Sequence, residues 1–121
     1  MEQLQLSTTL GSRPGQRIIH LAGPLTIGTF FDFQKEVRED KSSSLILDFS
    51  AVPYVDSAGL GSVLGAYVSR ERDGRKLALV GVSERVRTIF HLTRVEQFFQ
   101  FYASVPAAEL GLEGVAHASG E

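Results

Sequence analysis

Two hydrophobic periods divide this chain, and the switch from one to the other marks most of its elements. Residues 45–47, Leu-Ile-Leu, form a short apolar run with no helical period, punctuated by Asp48, Ser50 and Pro53, as a strand in a covered sheet reads. Tyr54 and Val55 extend briefly. From there Leu60, Val63, Leu64, Tyr67 and Val68 recur three and four apart, so one stripe of a helix faces a core while Ser62, Ser69 and Arg70 are expected to face away. That helix must start at Asp56-Ser57. Both residue types cap helices well, because a short side-chain oxygen accepts from the free N–H groups of the first turn.

The same reading covers the rest of the chain. Leu4, Leu6 and Thr8 alternate, Gly11-Ser12-Arg13-Pro14-Gly15 is a dense turn signal, and Ile18, Ile19 and Leu21 supply a second strand, which together predict a hairpin at a sheet edge. Gly23-Pro24 stops that strand. Ile27, Phe30, Phe33 and Val37 repeat at helical spacing, with Thr26 or Thr29 as cap and Glu36, Arg38 and Glu39 turned outward; Phe31 lies off the stripe and is expected under a neighbouring loop. After the closing Arg70-Glu71-Arg72-Asp73-Gly74 come a strand over residues 76–80 and a helix capped by Ser83, whose Val86, Ile89, Phe90 and Thr93 point one way. Arg85, Arg87 and Arg94 are expected on its solvated outer side. The aromatic run over residues 98–102 predicts a last strand, and Ser104-Val105-Pro106 a short helix through Leu112. The result is one α/β domain over residues 3–112, with 113–121 expected as a flexible tail. A hairpin strand precedes three strand-helix-strand units, so strands two to five should be parallel.

Length and composition agree with this. At 121 residues the chain is one domain with a real core. A net charge of −2 lacks the cationic excess that phosphate backbones demand, so nucleic acid is not an expected partner. There are no cysteines, which excludes disulfides and thiolate sites and fits a reducing compartment. No secretory signal opens the sequence and no apolar run reaches transmembrane length, so a cytoplasmic location without membrane insertion is expected. Three scattered histidines offer no metal-ligand spacing, and no metal or cofactor is expected.

The chemistry concentrates at Asp56-Ser57. Taken alone the pair reads as a helix cap, and an oxygen near first-turn N–H groups is also where a phosphate is best tolerated. Gly61 and Gly65 share a helix face and are expected to allow close approach to the sheet, with Gly59 keeping the helix entrance uncrowded. A nucleophile elbow is half present in Val55-Asp56-Ser57-Ala58-Gly59, but valine stands where that strained turn needs glycine, and His20 and His91 have no evident link to Ser57. Gly59, Gly61 and Gly65 miss the dinucleotide fingerprint by one position. No catalytic residue is therefore assigned.

The stretch D-S-A-G-L-G-S-V-L-G-A-Y, preceded by L-I-L-D-F-S-A-V-P-Y-V, resembles the STAS domains, and within them the bacterial anti-sigma factor antagonists. The likeness runs from about Gln5 to Ala103. It implies a roughly five-stranded mixed sheet with helices largely on one face, and a protein-binding module rather than an enzyme. It also implies phosphorylation of Ser57 by a partner serine kinase that is itself the anti-sigma factor, with a phosphoserine phosphatase reversing it. Many members carry a second hydroxyl at the next position; Ala58 leaves one acceptor. By the same resemblance the unphosphorylated form sequesters the anti-sigma factor, with Asp56, Ser57, Ala58, Gly59 and the loop Gly23-Pro24-Leu25-Thr26 near the contact. The alternative is an unswitched STAS subunit of a lipid transporter or signalling scaffold.

Overall fold

The structure, a computed structural model, describes residues 3–119, with side chains through residue 113. Five strands, β1 (Gln5–Leu10), β2 (Gln16–Ala22), β3 (Ser44–Ala51), β4 (Lys76–Val80) and β5 (Phe101–Tyr102), form one sheet in sequential order. β1 runs antiparallel to β2 and every other neighbouring pair is parallel. Helices α1 (Phe30–Glu39), α2 (Ser57–Arg72), α3 (Glu84–Leu92) and α4 (Val105–Ser119) join or follow the strands. The alternation of the strands explains their placement. Ile19, Leu21, Leu45, Leu47, Leu77 and Leu79 point to one face, where Phe33 and Val37 of α1, Leu60 and Val63 of α2, and Val86 and Phe90 of α3 cover them. Ile18, Ile46 and Ala78 point to the other, where Ala108 and Leu112 of α4 cover them. The expected single-domain mixed sheet, with most helices on one face, is what forms.

Several local expectations are overturned. Only Phe101 and Tyr102 of the aromatic run pair with β4; Glu96–Phe98 is a 3-10 turn, because Phe99 is drawn into the core, its ring edge-on to Phe90 at 5.2 Å. Phe31 is not covered by a loop but 73% exposed. Ser62 and Arg70 are buried rather than outward, and Val68, expected inside, is 54% exposed. The reason is polar. Ser62 donates to the Gly59 carbonyl at 2.6 Å, and Arg70 pairs with buried Asp40 at 3.0 Å while donating to the Ser42 and Lys76 carbonyls, so both side chains are satisfied inside. Helix α4 continues to Ser119 instead of ending at Leu112. Most of the expected tail, 113–121, lies outside the residues whose side chains are described.

The glycines of α2 exchange roles. A Cβ on Gly59 would stand 2.0 Å from the Leu25 carbonyl oxygen, so this glycine is the one that admits a close backbone approach. Gly61 and Gly65 have nothing within 4 Å of an added Cβ, and the close approach to the sheet expected of them does not occur. Each still costs about 1 kcal/mol against alanine in a helix interior.

Beyond the reach of α4, β1, β2 and β3 share a polar cluster. The His20 ring lies 3.0 Å from the Thr9 hydroxyl and 2.9 Å from Asp48, whose other oxygen accepts from the Ser50 amide and hydroxyl at 3.0 and 2.6 Å. Burial alone would raise the Asp48 carboxyl, but the bonds from Ser50 and His20 outweigh it and hold the group below its ordinary value.

Two predictions follow from this packing. Gly59→Ala should destabilise the domain by about 2 kcal/mol or more, whereas Gly61→Ala and Gly65→Ala should each stabilise it by up to about 1 kcal/mol; urea midpoints measure all three. A carboxyl lowered in the folded state contributes stability that is complete above its unfolded pKa and lost as pH falls through the folded one. Asp48→Asn should therefore weaken the domain near neutrality and flatten its acid limb below about pH 4, which a series of urea titrations between neutral and acidic pH would read.

Candidate functional site

The loops that leave the C-terminal ends of β2 and β3 meet at the N-terminus of α2, and Asp56 joins them. Its backbone is extended, as an N-cap requires, and one carboxylate oxygen accepts from the Gly59 amide at 2.8 Å. The other accepts from the Ile27 amide at 3.0 Å, in the loop before α1. Backbone bonds reinforce the junction: the Asp56 amide donates to the Leu25 carbonyl at 3.3 Å, the Leu25 amide to the Tyr54 carbonyl at 3.2 Å, and the Gly23 amide to the Ala51 carbonyl at 3.0 Å. Leu25 and Val55 form an isolated parallel bridge, a short continuation of the β2–β3 pairing past both strand ends.

Within this junction the residues singled out from the sequence divide into two kinds. Ser57 is the first residue of α2 and is exposed; Asp56 and Ala58 are half-buried. Capping falls to Asp56, so Ser57 stands at the helix start as the next residue, its side chain open to solvent. Gly59 is buried against the Leu25 carbonyl. Pro24 and Leu25 are buried, with Leu25 fully so, and their side chains face the fold. Gly23 has φ +117°, and a Cβ there would meet the Gln3 carbonyl oxygen at 2.1 Å, so glycine is required for the chain to pass β1. Thr26 is half-buried in a small hydroxyl knot in which its amide donates to Thr29 Oγ1 at 2.9 Å and Thr29 Oγ1 donates to the Pro24 carbonyl at 2.8 Å. Thr29 occupies the cap position of α1 but makes no side-chain capping bond there.

The exposed members of the surface were not all anticipated. Ile27, held by Asp56 through its amide, presents a side chain 69% exposed, and Phe31 one turn on stacks against Phe30 with ring centroids 5.4 Å apart. The sequence placed Ile27 on the buried stripe of α1; the helix starts only at Phe30, which leaves Ile27 in the loop. Phe31 carried its signal in being off that stripe. On the other side of the junction Arg85, in the first turn of α3, lies over the Tyr54 ring at 5.4 Å and joins Gly23, Pro24, Pro53 and Ser83 around a shallow depression. Ser83 caps α3 as expected, accepting from the Val86 amide at 3.2 Å.

The histidines are engaged elsewhere. His20 bonds Thr9 and Asp48, and His91 lies 3.2 Å from Glu96, which also takes Arg87 at 2.6 Å. The His91 and Arg87 bonds hold the Glu96 carboxyl below its ordinary value. Arg87 also covers the Phe101 ring at 3.7 Å, tying α3 to the sheet edge. Among the described residues no three His, Cys, Asp or Glu side chains cluster as a metal site would need, and no helix is long and apolar enough to cross a membrane.

Comparison with known proteins places this arrangement. The chain is 26% identical over 78 residues, 62% of its length and 72% of the relative's, to the anti-sigma-B factor antagonist of Staphylococcus aureus. Its fold is similar to that of an anti-sigma factor antagonist from Mycobacterium paratuberculosis, with TM-score 0.75 at 20% identity over 90% of this chain and 95% of the other. It is also similar to the Bacillus cell fate determinant SpoIIAA in its phosphorylated form, with TM-score 0.64 at 19% identity over 93% and 98% of the two chains. The model of the STAS domain matches residues 8–108, from β1 through the first turn of α4 and across the whole Asp56 junction, and the chain belongs to the STAS domain family.

Proposed function

We propose that this chain is an anti-sigma factor antagonist, a binding module whose grip on a kinase-type anti-sigma factor is released by phosphorylation of Ser57. The observation that carries the reading is the division of labour at the start of α2: Asp56 uses both carboxylate oxygens to hold the helix and the β2–α1 loop, while Ser57 beside it stays exposed. A residue with no capping duty is free to be modified without loss of the fold. The likeness to S. aureus anti-sigma-B factor antagonist and to a SpoIIAA solved in phosphorylated form supports the same assignment. In this reading the chain is a substrate of its partner and of a phosphoserine phosphatase, works in the cytoplasm, and catalyses nothing through Ser57.

Charge makes the switch act on affinity rather than on structure. A phosphate at Ser57 gains about 0.3 to 2 kcal/mol from the N-terminus of α2. Repulsion from the Asp56 carboxylate, at about 5 Å in a water-like medium, costs about 1.2 to 1.7 kcal/mol for a charge near −1.5 to −2. These nearly cancel, and the residue is small beside a typical stability of about 5 to 15 kcal/mol. At a partner surface the dianion beside Asp56 is desolvated without compensation, which is enough to weaken binding roughly a hundredfold.

The tests separate the two neighbours. Ser57→Ala should change stability by less than about 0.5 kcal/mol and abolish phosphate incorporation by the cognate kinase with ATP, because Ala58 offers no second hydroxyl. Asp56→Ala, losing the cap and the Ile27 bond, should cost about 2 kcal/mol by urea titration. Phosphorylated wild type should keep its urea midpoint and lose affinity for the kinase about a hundredfold in isothermal titration. Robust incorporation into Ser57→Ala, or undiminished affinity of the phosphorylated form, would overturn the reading; recovery of transporter subunits in place of a kinase would favour an unswitched STAS subunit.

A further inference from the structure

We propose that the contact switched at Ser57 continues down the groove between α1 and α2, and that the groove seats an amphipathic helix of the anti-sigma factor with an acidic residue at its far end. This rests on the function proposed above. The two helices lie side by side with their N-termini together, because the Ile27 amide bonds Asp56 at one end and Asp40 pairs with Arg70 at 3.0 Å at the other. The groove between them therefore runs away from the phosphoacceptor. Near the Asp56 end the side chain of Ile27 is exposed, and so is that of Phe31 in the first turn of α1. Its wall includes Gly65 and Ser69, and the only charged side chains that line it among the described residues are Arg38 and Arg72.

Three features of the groove match such an occupant. Ser57, Gly61 and Gly65 follow one another at four-residue spacing on the exposed side of α2, and an added Cβ at either glycine meets nothing within 4 Å. The helix carries these glycines without any internal contact that uses them. Of the two, Gly65 lines the groove, and a helix seated there can bring its backbone close over it, which a longer side chain would prevent. Ile27 and Phe31 are large apolar groups left in water at the start of α1, and they suit the anchor positions of an amphipathic helix. At the foot, Arg72 is 72% exposed in its side chain with Asp73 no nearer than 3.9 Å, so two guanidinium groups face the groove with room for an external carboxylate. Phe31 and Arg38 are seven residues, two turns, apart, which spans roughly 10 Å and sets the footprint at two to three turns of a partner helix.

The experiment is isothermal titration of the full chain with the ATP-binding anti-sigma factor that copurifies with it from its host, over a range of salt. Gly65→Leu, Phe31→Ala and the pair Arg38→Glu with Arg72→Glu should each weaken binding at least tenfold while each variant still unfolds cooperatively in urea, the charge-reversed pair at a somewhat lower midpoint because it puts acids in the last turns of α1 and α2. The wild-type affinity should fall with salt, and the charge-reversed pair should lose that dependence. Binding that depends on Ser57 but is unchanged in all three variants would overturn the groove and leave the proposed function standing. Failure of wild type to bind any such kinase would overturn both. A wild-type dimer in the absence of partner, abolished by Gly65→Leu, would instead make the groove an interface between two copies and equally overturn the proposal.

Discussion

The two-armed bond of the Asp56 carboxylate is the constraint on which the loop end of this domain, and the candidate site there, depends. A parallel sheet sends every strand into a loop at the same end, and those loops have no ladder to hold them once the strands stop. Here the β2 and β3 loops are held by one side chain that accepts from Gly59 in α2 and from Ile27 ahead of α1. The Leu25 carbonyl lies so close to α2 that only glycine fits at position 59. Cap, loop and close approach are one arrangement: without the glycine the loop could not reach the helix, and without the loop the second carboxylate oxygen would have no donor.

The opposite end of the same helices is fixed by different physics. Arg70 and Asp40 are both almost fully buried, and desolvation pulls the Arg70 guanidinium below its ordinary value even though Asp40 acts to raise it. A buried pair gains little net stability unless its remaining donors and acceptors are satisfied. Here they are: Arg70 also donates to the Ser42 and Lys76 carbonyls, and Asp40 takes Arg17 and Ser42 as well. The two ends together fix α1 against α2 along their whole length. The helix that carries Ser57 is therefore anchored at both ends.

How much of this could be read from the sequence follows from where the forces are local. The edge hairpin, the parallel direction and the start of α2 were legible because apolar period and cap chemistry are properties of neighbouring residues. Ser62 and Arg70 were misplaced because a period argument treats polar residues as outward, whereas these two find partners inside, at the Gly59 carbonyl and at Asp40, that lie far away or on the backbone. Gly59 and Gly61 exchanged roles for the same reason, since the Leu25 carbonyl that decides between them is 34 residues away in sequence. Phe99 broke the expected last strand because its ring packs with Phe90 and Tyr67, a preference that ladder pairing at a two-residue edge strand could not outweigh. At the candidate site the proposed acceptor and its cap were visible as a pair of residue types, but which of the two caps the helix required the geometry.

That separation bears on why a switch would sit here and not elsewhere on the surface. A phosphoacceptor that also capped its helix would lose the cap whenever it was modified, and each turn of the switch would then cost the domain about 1 kcal/mol or more of stability. With Asp56 holding the helix and loop, a phosphate on Ser57 would be added to a framework whose hydrogen bonds are already made. The carboxylate next door then sharpens the effect. It would leave the isolated domain close to neutral in energy, because the helix dipole offsets the repulsion, yet a partner meeting the modified surface would have to desolvate two adjacent anions at once. The same aspartate that gives the site its rigidity would thus give the modification its leverage over binding.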